Sequence, residues 1–467
     1  MKKKTVCILS LSLALFLAAL TALVVFLYDE PLLPMAEKAL RYQPPPVPPA
    51  ENAFVSIAGL EASAERDFLQ AGEENIRRAN QNFQRFGLNV PEEERMRNPQ
   101  GLAFSVDQYA HPCAQEISEN CLEEIRADAP NIQKLLEEND TLIARYRHIQ
   151  TMPEFSNAIT GSMEFSPPYR GIRNLSRLLS AGAVLDIQNG NVQEGLAFIE
   201  KDLKFYRGIL ASREIGFIDA MMAVAQIRQH ANLLALLAGQ EKLHGRTDRI
   251  RALLTPLDSP KETFMNAHWR EHVFITQGLF RIVDGMDAKM NPGVKEAFQL
   301  FSVFSFKENM TVNLGSEFWA TEKALIDAAT PAQLRDMQKE DWWESEVRSR
   351  VCTIPKDYFF CRHLKNYVGE VLAALAQPNY IDYLLRLHDA DAQIRLLRAR
   401  LEFARAAKSA PKTETPDKIL ARLGPETFNP YTGQPFDWNP EQGTIGFMPG
   451  NDKKPSPVEI RLFPIAP

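Results

Sequence analysis

The sequence predicts a mainly α-helical protein with an N-terminal transmembrane helix, a domain of antiparallel helical hairpins and a small C-terminal β-hairpin appendage. Three observations predict this fold class. A long uncharged run lies behind a lysine cluster at the N-terminus, and apolar residues recur at helical spacing through most of the chain. The stretch 409–467 is instead punctuated by proline and glycine, which is typical of turns between short strands.

The first predicted element is a membrane anchor at residues 6–28, which contains no charged residue and follows three lysines. A helix of this length extends about 35 Å, more than the apolar core of a bilayer at about 30 Å. The run is too long for a signal peptide and lacks an A-x-A cleavage site, which favours an uncleaved anchor over a cleaved signal. Positive charge on the N-terminal flank places residues 1–5 in the cytoplasm and the bulk of the chain outside it.

The rest of the chain divides by composition into three segments. Residues 29–51 include the run QPPPVPPA and are predicted to form a Pro-rich linker, extended as polyproline and acting as a stiff spacer. Residues 52–408 are predicted to form a helical extracytoplasmic domain. Residues 409–467 are predicted to form a second linker and the β appendage, with short strand-like runs at 436–438, 444–447 and 458–463.

The clearest helical hairpin is predicted over residues 172–210. The turn falls at Asn189-Gly190-Asn191, residue types that tolerate a left-handed backbone. The hairpin weakly resembles a tetratricopeptide (TPR) unit, but Asp202 occupies a position that is usually small. One copy is found where stacking needs about three, so generic antiparallel helix packing is favoured. The apolar helix that follows, 215–238, carries three ionisable residues and is predicted to be buried in protein.

The positions of the five cysteines agree with the predicted topology, which places most of the chain in an oxidising compartment. Cys7 lies in the predicted anchor, and the others form two local pairs, Cys113 with Cys121 and Cys352 with Cys361. Short loops close most readily, and neither spacing is typical of zinc ligands, so two local disulfides are predicted. Four free thiols are the alternative.

One short motif, at residues 268–272, could form a catalytic zinc site. The sequence His268-Trp269-Arg270-Glu271-His272 spells H-x-x-E-H, which resembles the inverted zinc-peptidase motif. Residues four apart share a helix face, so both histidines could bind zinc while Glu271 activates a bound water. Such a site needs a further acidic ligand, for which Glu344 or Glu346 could serve. The alternatives are a solvated helix face, or histidines paired with neighbouring carboxylates.

The remaining polar signals predict no activity. The segment 386–391 (RLHDAD) is interpreted as the wet face of a long amphipathic helix. There is no G-x-S-x-G nucleophile motif and no phosphate-binding loop. The chain has 53 basic and 59 acidic residues and no basic stripe, which argues against a nucleic-acid partner.

As a whole the chain resembles an uncharacterised family of bacterial single-pass inner-membrane proteins with a helical periplasmic domain. The features that carry this resemblance are the lysine-capped anchor, the segment 52–55 after the Pro-rich run, Cys113 and Cys121-Leu122, and the segments 366–369 and 386–389. The resemblance implies an inner-membrane protein with its N-terminus in the cytoplasm and its bulk in the periplasm. It implies no activity.

Together these patterns predict a non-enzymatic scaffold, tethered to the membrane and binding a protein partner of the cell envelope, without a cofactor. The second hypothesis is a zinc-dependent hydrolase at His268, Glu271 and His272.

Overall fold

A computed structural model describes residues 13–21, 23–24, 27–86, 102, 113, 120–159, 167–286, 306–339, 366–376, 380–411, 413–450 and 456–462. Over these residues the protein is mainly helical, as predicted. The helices are α1 (Pro34–Arg41), α2 (Ala53–Ala58), α3 (Phe68–Phe86), α4 (Cys121–Ala127), α5 (Ala129–Glu138), α6 (Asp140–Ile149), α7 (Tyr169–Asn189), α8 (Val192–Ala211), α9 (Phe217–Leu237), α10 (Thr247–Leu253), α11 (Pro260–Met286), α12 (Glu308–Ala328), α13 (Pro331–Lys339), α14 (Tyr367–Ala376), α15 (Ile381–Ser409) and α16 (Pro416–Ala421).

The centre of the fold is the antiparallel series α7, α8 and α9, in which each helix packs against the next. Gly190 ends α7 in the left-handed conformation with φ of 102°, so the predicted turn is confirmed. Gly195 lets the two helices approach closely, because a Cβ at this position would lie 2.5 Å from the Ala183 carbonyl oxygen. The helix α9 is buried along most of its length, which confirms the buried helix predicted at 215–238.

The long helix α15 lies against α9 and α11 on one side and against the C-terminal strands on another. Those strands, β1 (Asp437–Asn439), β2 (Thr444–Phe447) and β3 (Val458–Arg461), form an antiparallel sheet in the order β1-β2-β3. The predicted small β appendage is therefore present, with one strand more than a hairpin.

A disulfide joins Cys113 and Cys121, as predicted, and both cysteines are fully buried. Cys352 and Cys361 lie outside the described residues, as do Cys7, Glu344 and Glu346. The second disulfide therefore stays a prediction.

The predicted membrane anchor is contradicted. Among the residues that the structure describes, no helix is both long enough and apolar enough to cross a bilayer. Within residues 6–28 the longest described helical stretch is 13–21, about 14 Å long against the roughly 30 Å of an apolar core. The membrane attachment and the inner-membrane localisation were both predicted from this anchor. Both predictions are therefore contradicted as well.

The segment 29–51, here named the strap, is predicted to be a stiff spacer, but it packs on the folded body. Asp29 caps α12, because its carboxylate accepts hydrogen bonds from the backbone N–H groups of Asn309 (2.9 Å) and Met310 (3.1 Å). The helix α1 within the strap packs on α11 and α12 and buries Ala36 and Ala39 completely. The strap is therefore part of the folded body.

The segment 386–391 also differs from its prediction as a wet helix face. His388, Asp389 and Asp391 are at most 8% exposed, because other elements cover α15 on several sides. Asp389 accepts hydrogen bonds from the Tyr431 hydroxyl (2.6 Å) and from the Gly450 N–H (2.7 Å). Asp389 thus attaches the C-terminal segment to the helical body.

Candidate functional site

The H-x-x-E-H residues lie in the middle of α11, facing α12. His268 and His272 are 0% and 1% exposed. Both rings contact the indole of Trp319, at centroid distances of 5.9 Å and 5.6 Å. His268 Nε2 lies 3.1 Å from Glu322 Oε2, an ion-pair distance within the core. The predicted alternative of a histidine paired with a neighbouring carboxylate thus describes His268.

His272 has hydroxyl neighbours at both ring nitrogens. Its Nδ1 lies 3.4 Å from Thr276 Oγ1, and its Nε2 lies 3.3 Å from Ser316 Oγ. Burial, with a smaller contribution from the charge of His268, lowers the pKa of His272 from 6.5 to about 3. The ring is therefore neutral at neutral pH, with one nitrogen as donor and the other as acceptor.

Two further ionisable groups complete this cluster. Desolvation raises the pKa of Glu271, while the charge of His268 acts in the opposite direction. Burial raises the pKa of Tyr380, and the nearby Glu271 and Glu322 carboxylates raise it further. Groups with shifted pKa values occur at catalytic sites but also in structural networks. Access to solvent decides whether this cluster is a catalytic site or a structural network.

The zinc hypothesis finds little geometric support. Across the described ranges, no group of three or more histidine, cysteine, aspartate or glutamate side chains is arranged to hold a metal ion. Of the residues that the sequence assigns to zinc, only the two histidines and Glu271 can be placed. His268 is turned towards Glu322, and His272 contacts two hydroxyls.

A second buried polar cluster was not predicted. The Asp202 carboxylate, fully buried on α8, lies within hydrogen-bond or ion-pair distance of four side chains from three other elements. They are the Tyr146 hydroxyl, Gln150 Nε2 (2.5 Å), Ser176 Oγ (2.5 Å) and His230 Nε2 (3.0 Å). The only sequence signal was Asp202 itself, at a hairpin position that is usually small.

Both ring nitrogens of His230 lie close to oxygen atoms. Its Nδ1 lies 2.7 Å from the Gln226 carbonyl oxygen, which can only accept. Its Nε2 lies 3.1 Å from Ser180 Oγ, and that hydroxyl donates its single proton to the Ser176 carbonyl oxygen at 2.7 Å. The His230 ring thus lies against Ser180 and the Asp202 carboxyl group, and neither His230 nor Asp202 is exposed to solvent.

An open groove lies elsewhere, between the strap and α3, with a volume of about 640 Å³. The strap supplies residues 40–44 to one wall, and the helix α3 supplies Asn80, Phe83 and Gln84 to the other. Ala158 and Gln277 complete the lining. Four of the lining side chains are amides, and Arg41 is the charged one.

The walls of this groove are tied to the core. Gln277 Nε2 lies within 3.0–3.4 Å of the carbonyl oxygens of Ala39, Leu40 and Tyr42. The Tyr42 hydroxyl donates to Glu214. Across the groove, Asn80 Nδ2 donates to the Ala158 carbonyl oxygen at 3.0 Å. These bonds fix both walls before any ligand arrives.

Comparison with known proteins adds no functional assignment, because no protein-family model, curated protein or solved structure matches the chain.

Proposed function

We propose that this protein is a non-catalytic helical scaffold that binds an extended segment of a protein partner in the groove between the strap and α3. The observation that carries the proposal is the amide lining of that open groove. Its volume of about 640 Å³ falls within the range of about 300–1,000 Å³ that is usual for ligand sites.

The chemistry of the lining favours a polypeptide ligand. An amide side chain carries both N–H donors and an acceptor oxygen, which match the alternating N–H and C=O groups of an extended backbone. Gln43 and Gln84 are exposed on opposite walls, whereas the amide nitrogens of Asn80 and Gln277 already donate to backbone carbonyl oxygens of the walls. The charge of Arg41 is balanced by Glu37, whose carboxylate lies 2.8 Å away. A groove of this kind suits an uncharged segment.

The fixed walls also favour binding. Ordering a loop or a side chain upon association costs free energy, so a groove whose walls are already held loses less affinity. The bonds of Gln277 and Tyr42 hold the strap wall, and the bond from Asn80 holds the other.

Catalysis at the histidine cluster has less support. A substrate could reach His268 only after the side chains packed around it had moved, because His268 is fully buried. The zinc-dependent hydrolase hypothesis also requires a third ligand, for which the described residues supply no suitable arrangement.

The weak TPR likeness is consistent with a scaffold. Helical-repeat proteins are binding scaffolds built from packed consecutive helices. The consecutive packing of α7, α8 and α9 supports the proposal to this extent.

The test uses an array of uncharged synthetic peptides, with binding measured by fluorescence anisotropy. The variant Ala158→Trp fills the groove, and Ala421→Trp places the same bulk at an exposed position on α16. We expect peptides that bind the wild type and A421W and that lose at least about tenfold in affinity with A158W. Failure of every peptide to bind, or equal binding by A158W, would overturn the proposal.

A further inference from the structure

The proline run of the strap forms a ridge with a regular pattern of exposure. Pro44 and Val47 are half-buried against the body, whereas Pro45, Pro46, Pro48 and Pro49 are exposed. The half-buried positions are three apart, which is the repeat of a polyproline II helix. One edge of this helix therefore contacts the protein, and the other two face solvent.

The local sequence imposes this conformation. Proline fixes its own φ near −65°, and the residue before a proline is restricted to extended or polyproline II values. Tyr42, at one end of the run, has φ −63° and ψ 132°, and Pro48, at the other, has φ −53° and ψ 132°. Both pairs lie close to the polyproline II values of about −75° and 145°.

Both ends of the ridge are anchored to the folded body. At the N-terminal end, the Tyr42 carbonyl oxygen accepts from Gln277 at 3.0 Å, and the Tyr42 ring packs edge-on against Trp269. At the C-terminal end, the Glu51 carbonyl oxygen accepts from the Glu154 N–H at 3.1 Å, and the Ala53 N–H donates to the Glu154 carbonyl oxygen at 2.9 Å. The ridge is thus presented in one conformation.

We propose that the extended part of this ridge, residues 44–48, is itself a ligand for a partner domain that binds polyproline II helices in an aromatic-lined groove. Pro45 and Pro48 are both exposed and have the P-x-x-P spacing within the extended run. Pro46 and Pro49 have the same spacing, but Pro49 begins a 3-10 turn, Pro49–Glu51, which ends the extended run. Domains of this recognition class bind such pairs between parallel aromatic rings, and they use the low conformational entropy of a preformed helix. The ridge meets both requirements, spacing and pre-organisation.

This inference goes beyond the proposed peptide groove and is independent of it. The groove is lined by residues 40–44, whereas the ridge uses the outward edges of residues 45–48. The groove binds a segment of a partner, whereas the ridge is bound by a partner domain. A variant that fills the groove therefore leaves the ridge available.

The test titrates a panel of purified SH3 and WW domains with the full chain and measures tryptophan fluorescence in the aromatic grooves. Two double variants, Pro45→Ala/Pro48→Ala and Pro46→Ala/Pro49→Ala, each remove one P-x-x-P pair. The control is Pro411→Ala, an exposed proline outside the strap. We expect at least one domain to bind the wild type, P411A and the groove-filling A158W, and to lose at least about tenfold in affinity with one of the double variants.

A synthetic peptide of residues 42–50 keeps the test independent of folding. It should bind the same domain more weakly than the full chain, because its conformation is not fixed, and the same double substitution in the peptide should reduce binding. The inference is overturned if no domain of the panel binds the chain. It is also overturned if the domain binds both double variants as well as the wild type.

Discussion

His230 Nε2 lies 3.0 Å from Asp202 Oδ2, and neither side chain is exposed to solvent. The other close neighbours of the His230 ring are Ser180 Oγ and the Gln226 carbonyl oxygen. The pair connects α8 with α9, while Ser176 and Tyr146 extend the network to α7 and α6. It therefore joins four helices at the centre of the fold and is expected to affect stability directly.

Substitution of Asp202 should be strongly destabilising. Asp202→Asn replaces one carboxylate oxygen with an NH2 group, which cannot accept the hydrogen bonds that converge on Asp202, and breaking a buried pair in this way costs about 3–5 kcal/mol. Glu200→Gln is the matched control on the same helix, because Glu200 pairs with Arg249 at the surface, where such pairs contribute at most about 1 kcal/mol. Urea unfolding measures both, and equal losses of stability would contradict this role of Asp202.

The burial of His272 should make stability depend on pH. Its pKa is about 3 in the folded protein and about 6.5 when unfolded, so the unfolded chain binds more protons between these values. Stability is then complete above pH 6.5 and falls, by up to about 1.4 kcal/mol per pH unit, as the pH decreases towards 3. Urea unfolding at pH 7 and pH 5 should show a smaller loss for His272→Gln than for the wild type. An identical loss in both proteins would refute the assignment.

The packing of α7 against α8 predicts opposite effects on stability for two glycine substitutions in α8. A Cβ at Gly195 would lie 2.5 Å from the Ala183 carbonyl oxygen, so Gly195→Ala should cost about 1–3 kcal/mol. A Cβ at Gly208 would meet no atom within 4 Å, so Gly208→Ala should stabilise α8 by up to about 1 kcal/mol. Thermal unfolding of the two variants measures the difference, and a change of the same sign in both would be inconsistent with this packing.

The disulfide between Cys113 and Cys121 should contribute measurably to stability. It closes a short loop, for which the chain-entropy model gives about 2–3 kcal/mol. The double variant Cys113→Ala/Cys121→Ala should lose this amount in urea unfolding. A loss below about 0.5 kcal/mol would show that the loop is already ordered without the bond.

Local pattern predicted much of the fold. Gly190 between two apolar stripes indicated the central hairpin, and the β appendage followed from proline, glycine and short apolar runs. Side-chain partners distant in sequence were not predictable in the same way. Glu322, which pairs with His268, and Glu214, which accepts from Tyr42, belong to other elements that helical spacing cannot assign.

Two misinterpretations share one physical cause. Charged residues on α15 usually indicate solvent contact, but here other elements cover this helix. The proline-rich strap likewise packs on α11 and α12 through α1, although most of its prolines are exposed. Asp389 and Asp391 are buried because Tyr431, Gly450 and the Leu257 N–H supply hydrogen bonds. The polar character of a segment therefore did not reveal its burial, which depends on partners far away in the sequence.

Hydrogen exchange with and without a bound peptide tests the central proposal most directly. The probe is the uncharged peptide of highest affinity from the array, and exchange is followed by mass spectrometry. The account predicts slower exchange at residues 40–44 and 80–84, on the two walls of the groove, and no change at 268–272 or 316–322. Protection confined to 268–272 and 316–322 would contradict it, because the ligand would then bind at the buried histidine cluster.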